Sequence, residues 1–461
     1  MRCDFQRKII CIFDIKGKDM IDRFIRGLIC RNRCEQKISV LFLLNEMYIN
    51  NLDPLLRELE KNDIFSVTVC ACESVQTEYR KGYTSREITR YFKNNGVECI
   101  YENNYKENNY MDLNAFEQDY IFVSTPYDIY RPEVYSSERL MLVAKLCDIE
   151  YGTNILSNVY EMLDMRNNAF YRSCYAHFIG NDSGYYISKD ERKTDIEQKF
   201  VPVGCVKVDK YNNEYISGKW EKIFENHDHV RIVWKPRWTL QNVDRLFEGL
   251  NFFEKGLVEH SQVLLLEHPF FRSNLEKVGL LEEYLNFINY SNVVKPLESD
   301  DFLDYVMESD ILVCDPTSLA AEYSVTGNPI LVMNCEFAEL NPLGQNINNL
   351  HVIRNYSDIN SYLCKTKKHN GHNKYHAKGL IRSGSENITN WLQNDYLKMP
   401  SYKYFKLLAE GLYQDLSAVN KMLYVGYYDT QVMERKTCLT SQRVDEGVKM
   451  WSDEIIRLKR V

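Results

Sequence analysis

Polar residues suited to phosphate chemistry follow three short apolar runs in the second half of the sequence. The runs are residues 230–234 (VRIVW), 262–266 (QVLLL) and 311–314 (ILVC). Arg237 follows the first run, His268 the second, and Asp315, Thr317 and Ser318 the third. A departing phosphate group needs positive charge and a proton source, and Arg237 and His268 are residue types that supply them. Taken singly, His268 is also typical of a packed or solvated histidine, and Arg237 of a surface cation.

The segment after residues 311–314 has the pattern of a phosphate cradle. Asp315-Pro316-Thr317-Ser318 leads directly into small and apolar residues that favour a helix. Backbone N–H groups and the positive end of a helix dipole bind phosphate, and the Thr317 and Ser318 hydroxyls would add donors. Glu322 lies one helical turn after Ser318, where a carboxylate can accept hydrogen bonds from a ribose. A helix cap followed by an exposed glutamate is the alternative for this segment.

The elements that must position these residues alternate between strand and helix. In the first half, apolar strand patterns at 37–44, 66–71, 97–101 and 120–124 are separated by helical patterns at 53–61 and 85–95. The alternation resumes in the second half with the three runs above and residues 329–333. These patterns predict an α/β protein with two Rossmann-like parallel-sheet domains facing a cleft. The carboxyl ends of parallel strands open on one edge, so the polar residues should converge there.

The predicted organisation has five parts. They are a basic N-terminal segment (1–36), an N-terminal Rossmann-like acceptor domain (37–160), a linker (161–200), a C-terminal Rossmann-like donor domain (201–393) and a helical cap (394–461). In the first domain, Thr125-Pro126-Tyr127-Asp128 follows a strand and places polar groups at its carboxyl end.

Several of these segments resemble the CDP-glycerol glycerophosphotransferase family, whose enzymes build teichoic-acid-type and capsular polymers. The resemblance is carried by residues 234–238 (WKPRW), His268-Pro269, residues 309–318 (SDILVCDPTS) and 328–330 (NPI), supported by residues 125–128, Tyr151-Gly152 and 201–209 (VPVGCVKVD). It spans roughly residues 37–392. It implies a GT-B architecture in which the second domain holds the CDP moiety.

The resemblance also implies roles for individual residues. Thr317 and Ser318 correspond to the paired hydroxyl residues that bind the donor diphosphate, His268 to the family's functional histidine, and Glu322 to its acidic residue. The predicted site residues are therefore His268, Arg237 and Asp128 for catalysis, and Asp315, Thr317, Ser318, Glu322 and Trp238 for donor binding.

The sequence departs from the family pattern at two points. Many of its polymerases carry His-Gly-Thr at the end of the first domain, where this chain has Tyr151-Gly152-Thr153 and where no histidine precedes His177. Asp128 and Glu150 are the candidates for the missing base, unless the chain takes a different acceptor. Glu267 also stands before His268, where the family often has a basic residue.

These observations predict a transferase that moves a phosphoalditol unit from a CDP-linked donor to a glycan or lipid-linked acceptor. Two alternatives stay open: a GT-B glycosyltransferase using a nucleotide sugar, and a non-catalytic scaffold of the same fold in a polymer-synthesis complex. No metal or other cofactor is expected, because His369, His372 and His376 lie in a polar segment typical of a solvated loop.

Composition limits the partners. The 461 residues are 44% hydrophobic and 26% charged, as in ordinary globular proteins, and the net charge of −8 argues against a nucleic-acid partner. The opening residues lack a signal-peptide pattern, and the fourteen cysteines are scattered through apolar segments, so a cytoplasmic protein with reduced thiols is expected. The basic, amphipathic residues 16–33 would either pack on the first domain or contact anionic lipid at the inner face of the cell membrane.

Overall fold

The computed structural model describes most of the chain between residues 37 and 397. The described residues are 37–46, 51–75, 84–101, 110–116, 118–157, 168–180, 199–209, 211, 220, 223–224, 229–237, 243–257, 260–268, 271–297, 302–334, 339–363 and 383–397. They form two parallel sheets with helices packed on them. The basic N-terminal segment, Trp238, the histidines at 369–376 and all of the predicted cap after residue 397 lie outside the described residues.

The first sheet has seven strands in the order β3-β2-β1-β4-β5-β6-β7. The strands are β1 (Ile38–Leu44), β2 (Phe65–Ala71), β3 (Cys99–Tyr101), β4 (Tyr120–Val123), β5 (Lys145–Ile149), β6 (Ala176–Ile179) and β7 (Phe200–Pro202). Its helices are α1 (Asp53–Glu60), α2 (Ser85–Asn94), α3 (Ser137–Val143) and α4 (Ala169–Ser173). The strand order reverses between β1 and β4, which makes this point the ligand crevice expected of a doubly wound sheet.

The first sheet extends further along the chain than the sequence-based boundary at residue 160. Strand β6 lies in the segment predicted as a linker, and β7 spans the start of the predicted donor domain. Both strands pair in parallel with the sheet, β6 with β5 and β7 with β6. Strand β6 (AHFI) contains a histidine and the three residues of β7 (FVP) include a proline, so neither strand is a continuous apolar run.

The second sheet has six strands in the order β10-β9-β8-β11-β12-β13. The strands are β8 (Val230–Lys235), β9 (Ser261–Leu266), β10 (Val294–Leu297), β11 (Ile311–Cys314), β12 (Ile330–Met333) and β13 (Leu350–Ile353). Its helices are α5 (Val243–Lys255), α6 (Phe271–Lys277), α7 (Leu281–Tyr290), α8 (Phe302–Met307), α9 (Leu319–Tyr323), α10 (Pro342–Asn346) and α11 (Asn360–Leu363). The order reverses between β8 and β11, again as in a doubly wound sheet.

The two faces of the second sheet pack against different helices. Ile232 and Trp234 of β8 join Leu246 and Phe253 of α5 in one apolar core. Val233, which alternates with them, joins the core on the opposite face with residues of β11, α8 and α9. This strict alternation decides which residues past each strand end face which side.

The carboxyl ends of the two sheets face each other. The segment after β5 forms a β-bridge between Leu156 and Leu340, close to the carboxyl end of β12. Asn341 donates from its side chain to the Asn154 carbonyl at 3.0 Å. The predicted GT-B-like arrangement, two Rossmann-like parallel-sheet domains that face each other, is confirmed.

The last helix of the described residues, α12 (Gly384–Leu397), returns from the second half of the chain to the first domain. Asp209 holds its start, since its carboxylate accepts the backbone N–H groups of Ser383, Gly384 and Ser385 at 2.9, 3.1 and 2.7 Å. Near its end, Asp395 is buried against Lys145 of β5. The helix therefore fastens the two halves of the chain together.

Candidate functional site

Three neighbouring strand ends of the second sheet carry the predicted site. Strands β9, β8 and β11 are adjacent and parallel, with Trp234 beside Leu265 and Lys235 beside Cys314. Arg237, His268 and Thr317 each follow one of these strands by two or three residues. Their loops consequently leave the sheet at the same edge, on both sides of the switch point.

Asp315 organises this edge. Its buried carboxylate accepts the backbone N–H of Arg237 at 2.6 Å and lies 4.0 Å from the Arg245 guanidinium of α5. Burial raises the pKa of Asp315, and the Arg237 N–H together with the Arg245 and Arg237 charges partly offsets that increase. The structure thus places Asp315 where it holds the β8 loop in position, and its donor contact stays a prediction.

The Thr317-Ser318 turn has unused hydrogen-bond donors. Among the described residues, the backbone N–H groups of Thr317 and Ser318 take part in no hydrogen bond within the turn. The Thr317 hydroxyl accepts the Leu319 N–H at 3.4 Å, which is a weak helix cap. Helix α9, which begins here, has only five residues, so fewer aligned peptide dipoles add up than in an average helix. A phosphate at the predicted cradle would therefore depend mainly on individual donors and nearby charges.

Ser318 lies directly against the first domain. A Cβ atom at Gly152 would be 2.4 Å from Ser318 Oγ and 2.8 Å from Ser318 Cβ. Only a residue without a side chain allows the loop after β5 to come so close. The predicted donor site is therefore reached from the first domain at this point.

Glu322 is engaged in a contact that joins the two halves. It is 2% exposed, and its Oε1 accepts from Lys207 Nζ at 3.2 Å. The Lys207 ammonium also lies 5.0 Å from the centre of the Tyr151 ring. Burial alone would lower the pKa of Lys207, but the charge of Glu322 raises it above its ordinary value. Glu322 thus has a salt-bridge partner that sequence spacing does not reveal.

His268 is half-buried in the loop that follows β9. Its neighbour Glu267 points to the other side, where it accepts from Arg272 Nε at 2.7 Å and from the Tyr284 hydroxyl. The negative charge that replaces the family's basic residue is therefore neutralised by Arg272 on α6. It does not place an unpaired carboxylate beside His268.

The two carboxylates predicted as candidates for the missing base both stabilise loops. Asp128 pairs with the buried Arg131 guanidinium and accepts the Ser137 N–H at 3.1 Å. Glu150 accepts the backbone N–H groups of Asn154 and Gly180 at 2.9 and 2.6 Å. These contacts give both residues an anchoring role.

Two residues at the strand ends were not singled out from the sequence. Glu46 is buried two residues past β1, at the switch point of the first sheet. It could have been found by the same rule that selected Asp128. Lys235 is the last residue of β8, at the switch point of the second sheet.

The described residues contain no group of three or more His, Cys, Asp or Glu side chains arranged to hold a metal ion. None of the helices within these same ranges has the length and hydropathy needed to cross a membrane. The seven cysteines in this part of the chain have free thiols.

The fold is similar to that of several solved enzymes. One is UDP-GlcNAc 2-epimerase from Methanocaldococcus jannaschii, at 14% identity over 77% of this chain and 99% of that chain, with a TM-score of 0.49. A glycosyltransferase from Rickettsia africae matches at 12% identity over 83% and 99%, with a TM-score of 0.44. The wall teichoic acid polymerase TagF matches at 11% identity over 83% and 98%, with a TM-score of 0.49. At these identities the likeness concerns the fold alone.

No protein-family model matches the sequence, and no curated protein matches it significantly. The fold and the strand-end residues define the chain as a two-domain α/β protein with a candidate ligand site at the carboxyl edge of its second sheet.

Proposed function

We propose that this chain is a transferase that moves a phosphoalditol unit, such as glycerol phosphate, from a CDP-linked donor to a glycan or lipid-linked acceptor. The observation that carries the proposal is the convergence of the β8, β9 and β11 ends at one switch point. The segments that resemble the CDP-glycerol glycerophosphotransferases lie at these ends.

The donor is assigned to the second sheet. The unused N–H groups of Thr317 and Ser318 favour an anionic ligand, and Asp315, which precedes this turn, holds the backbone of Arg237. In this scheme the Thr317-Ser318 turn binds the diphosphate and Arg237 offsets the charge on the leaving nucleotide. Trp238 belongs to the same predicted donor-binding set.

The reaction transfers a phosphoryl group from the bridging oxygen of the donor to an oxygen of the acceptor. An acceptor hydroxyl attacks the phosphorus of the phosphoalditol unit, the bond to the bridging oxygen breaks, and CMP leaves. His268 assists the proton transfer. Glu46 joins the candidates for the group that takes the acceptor proton, because it lies at the switch point of the first sheet.

Titration calorimetry with CDP-glycerol, CDP-ribitol and UDP-sugars tests the choice of donor. We expect the CDP-alditols to bind, and we expect the combined Thr317→Val and Ser318→Ala changes to weaken that binding at least tenfold. Ser361→Ala, which removes an exposed hydroxyl from α11, is the matched control. A clear preference for UDP-sugars would favour a glycosyltransferase, and no binding of any cytidine nucleotide would favour a scaffold.

Release of CMP in the presence of acceptor tests the role of His268. General acid-base residues usually contribute about 100-fold or more to turnover, so His268→Ala should cost at least that much. His260→Ala serves as the control, because His260 is exposed and precedes β9 at the opposite edge of the sheet. A loss of tenfold or less for His268→Ala would argue against the proposed role.

The base candidates can be separated by stability. Asp128→Asn should weaken the fold as well as activity, since the carboxylate pairs with Arg131 and caps the Ser137 N–H. Glu46→Gln should reduce turnover with a smaller effect on stability if Glu46 takes the proton.

A further inference from the structure

Lys235 occupies a distinctive place at the switch point of the second sheet. It ends β8 and lies beside Cys314 of β11 in the parallel register. Because side chains alternate along a strand, Lys235 shares the sheet face of Val233, which is also the face of Cys314. Asp315 is one residue further along and faces the other side, toward Arg245. The nearest carboxylate of the neighbouring strand is therefore on the wrong face to neutralise Lys235.

Lys235 is partly buried, and its ammonium lacks the kind of partner that three other partly or fully buried lysines have. Lys145 pairs with Asp395 at 2.6 Å, Lys207 with Glu322 at 3.2 Å, and Lys199 donates to the Arg172 carbonyl at 2.5 Å. Within the described ranges, no hydrogen bond or ion pair is made by the Lys235 side chain. Burial lowers the pKa of Lys235 to about 8, and the Cys314 thiol acts weakly in the opposite direction.

A partly buried ammonium without a partner loses part of its hydration, and a bound anion compensates for that loss. Thr317 and Ser318 follow Cys314, the strand partner of Lys235, by three and four residues, which brings the lysine to the edge that carries the unused N–H groups. The five-residue helix α9 contributes little dipole, so an anion at this edge needs a full positive charge nearby.

We propose that Lys235 is the charged group of an anion subsite at the β8–β11 switch point and that it binds a phosphoryl group of the donor. The identity of the ligand as a nucleotide diphosphate rests on the proposed function. The anion subsite itself rests on the position, the partial burial and the unpaired state of the lysine among the described residues.

Competitive acetylation of the full-length chain, read by mass spectrometry of the Lys235 peptide, tests the subsite directly. Without ligand, half-maximal reactivity should fall near pH 8. Saturating pyrophosphate should raise the apparent pKa of Lys235 by at least one unit, which reduces labelling at pH 8 about fivefold. Lys255, an exposed lysine at the end of α5, should show no change. Equal labelling of Lys235 with and without pyrophosphate would overturn the inference.

Calorimetry with Lys235→Met and the control Lys255→Met separates this inference from the proposed function. We expect Lys235→Met to weaken binding of both pyrophosphate and CDP-glycerol at least tenfold while circular dichroism stays unchanged. If CDP-glycerol binds equally well to the wild type and Lys235→Met, the subsite is wrong and the proposed function stands. If pyrophosphate protects Lys235 but no cytidine nucleotide binds better than pyrophosphate, the subsite stands and the proposed function fails.

Discussion

Replacing Asp395 by Asn should detach helix α12 from the first domain. The Asp395 carboxylate accepts from Lys145 Nζ at 2.6 Å and from the Tyr120 and Tyr175 hydroxyls at 2.8 and 2.7 Å. Asn keeps the shape of the side chain but removes the negative charge that Asp395 places on the buried Lys145 ammonium. Breaking one partner of a buried ion pair costs about 3–5 kcal/mol. The Tyr175 ring, whose centre is 4.5 Å from Lys145 Nζ, retains part of the stabilisation, so we expect about 3 kcal/mol.

Hydrogen exchange of the peptide that contains α12 measures the loss of local stability in that helix. A loss of about 3 kcal/mol corresponds to a more than 100-fold increase in local opening, and urea denaturation reports the effect on the whole chain. Glu386→Gln makes the same chemical change on the exposed side of α12 and should cost less than about 0.5 kcal/mol. Adding Lys145→Met to Asp395→Asn removes the stranded charge and should recover much of the loss. Equal exchange rates in Asp395→Asn and Glu386→Gln would refute the reasoning.

Three further changes have outcomes that the structure specifies. Gly152→Ala should weaken CDP-glycerol binding and lower stability by about 1–3 kcal/mol, because its Cβ would lie 2.8 Å from Ser318 Cβ. Calorimetry measures the binding and thermal unfolding the stability, and wild-type values in the two assays would contradict the close approach. Asp209→Ala removes the acceptor of three N–H groups at the start of α12 and should cost about 1–2 kcal/mol in urea denaturation, and no change would contradict this capping role. Lys235→Met should be more stable than the wild type by up to about 3 kcal/mol at pH 7, since the folded-state pKa of Lys235 is lowered to about 8 from 10.5. That penalty is fully present below pH 8 and disappears as the pH rises through 10.5, so a difference that does not change with pH in urea denaturation would contradict it.

Much of the fold could be predicted because the signals are local. Strands β1, β8, β9 and β11 are apolar runs buried on both faces, and their positions in the structure agree with the sequence patterns to within one residue at each end. The same local rule identified the residues that follow β8, β9 and β11. Adjacent parallel strands must then bring those residues to one edge, which the register confirms.

Other strands could not be found in this way. Strand β5 reads KLCDI, with Lys145 and Asp148 in positions that are fully buried in the sheet. Charged residues inside a strand contradict an apolar pattern, and they are tolerated here because Asp395, 250 residues away, neutralises Lys145. Strand β10 contains Pro296 and Lys295, which also interrupt the pattern.

The sequence by itself determined the fold class and the residues placed at the edge of the second sheet, because both follow from the order and spacing of neighbouring residues. Tertiary structure alone decided which polar residues near the strand ends already have partners. Glu322 meets Lys207, Asp128 meets Arg131 and Ser137, and Lys235 meets no described carboxylate. These outcomes depend on how the side chains of distant segments are oriented in the folded chain. The attraction between two charges weakens with distance, so an ion pair needs the two side chains to be close in space, and their sequence positions do not show this.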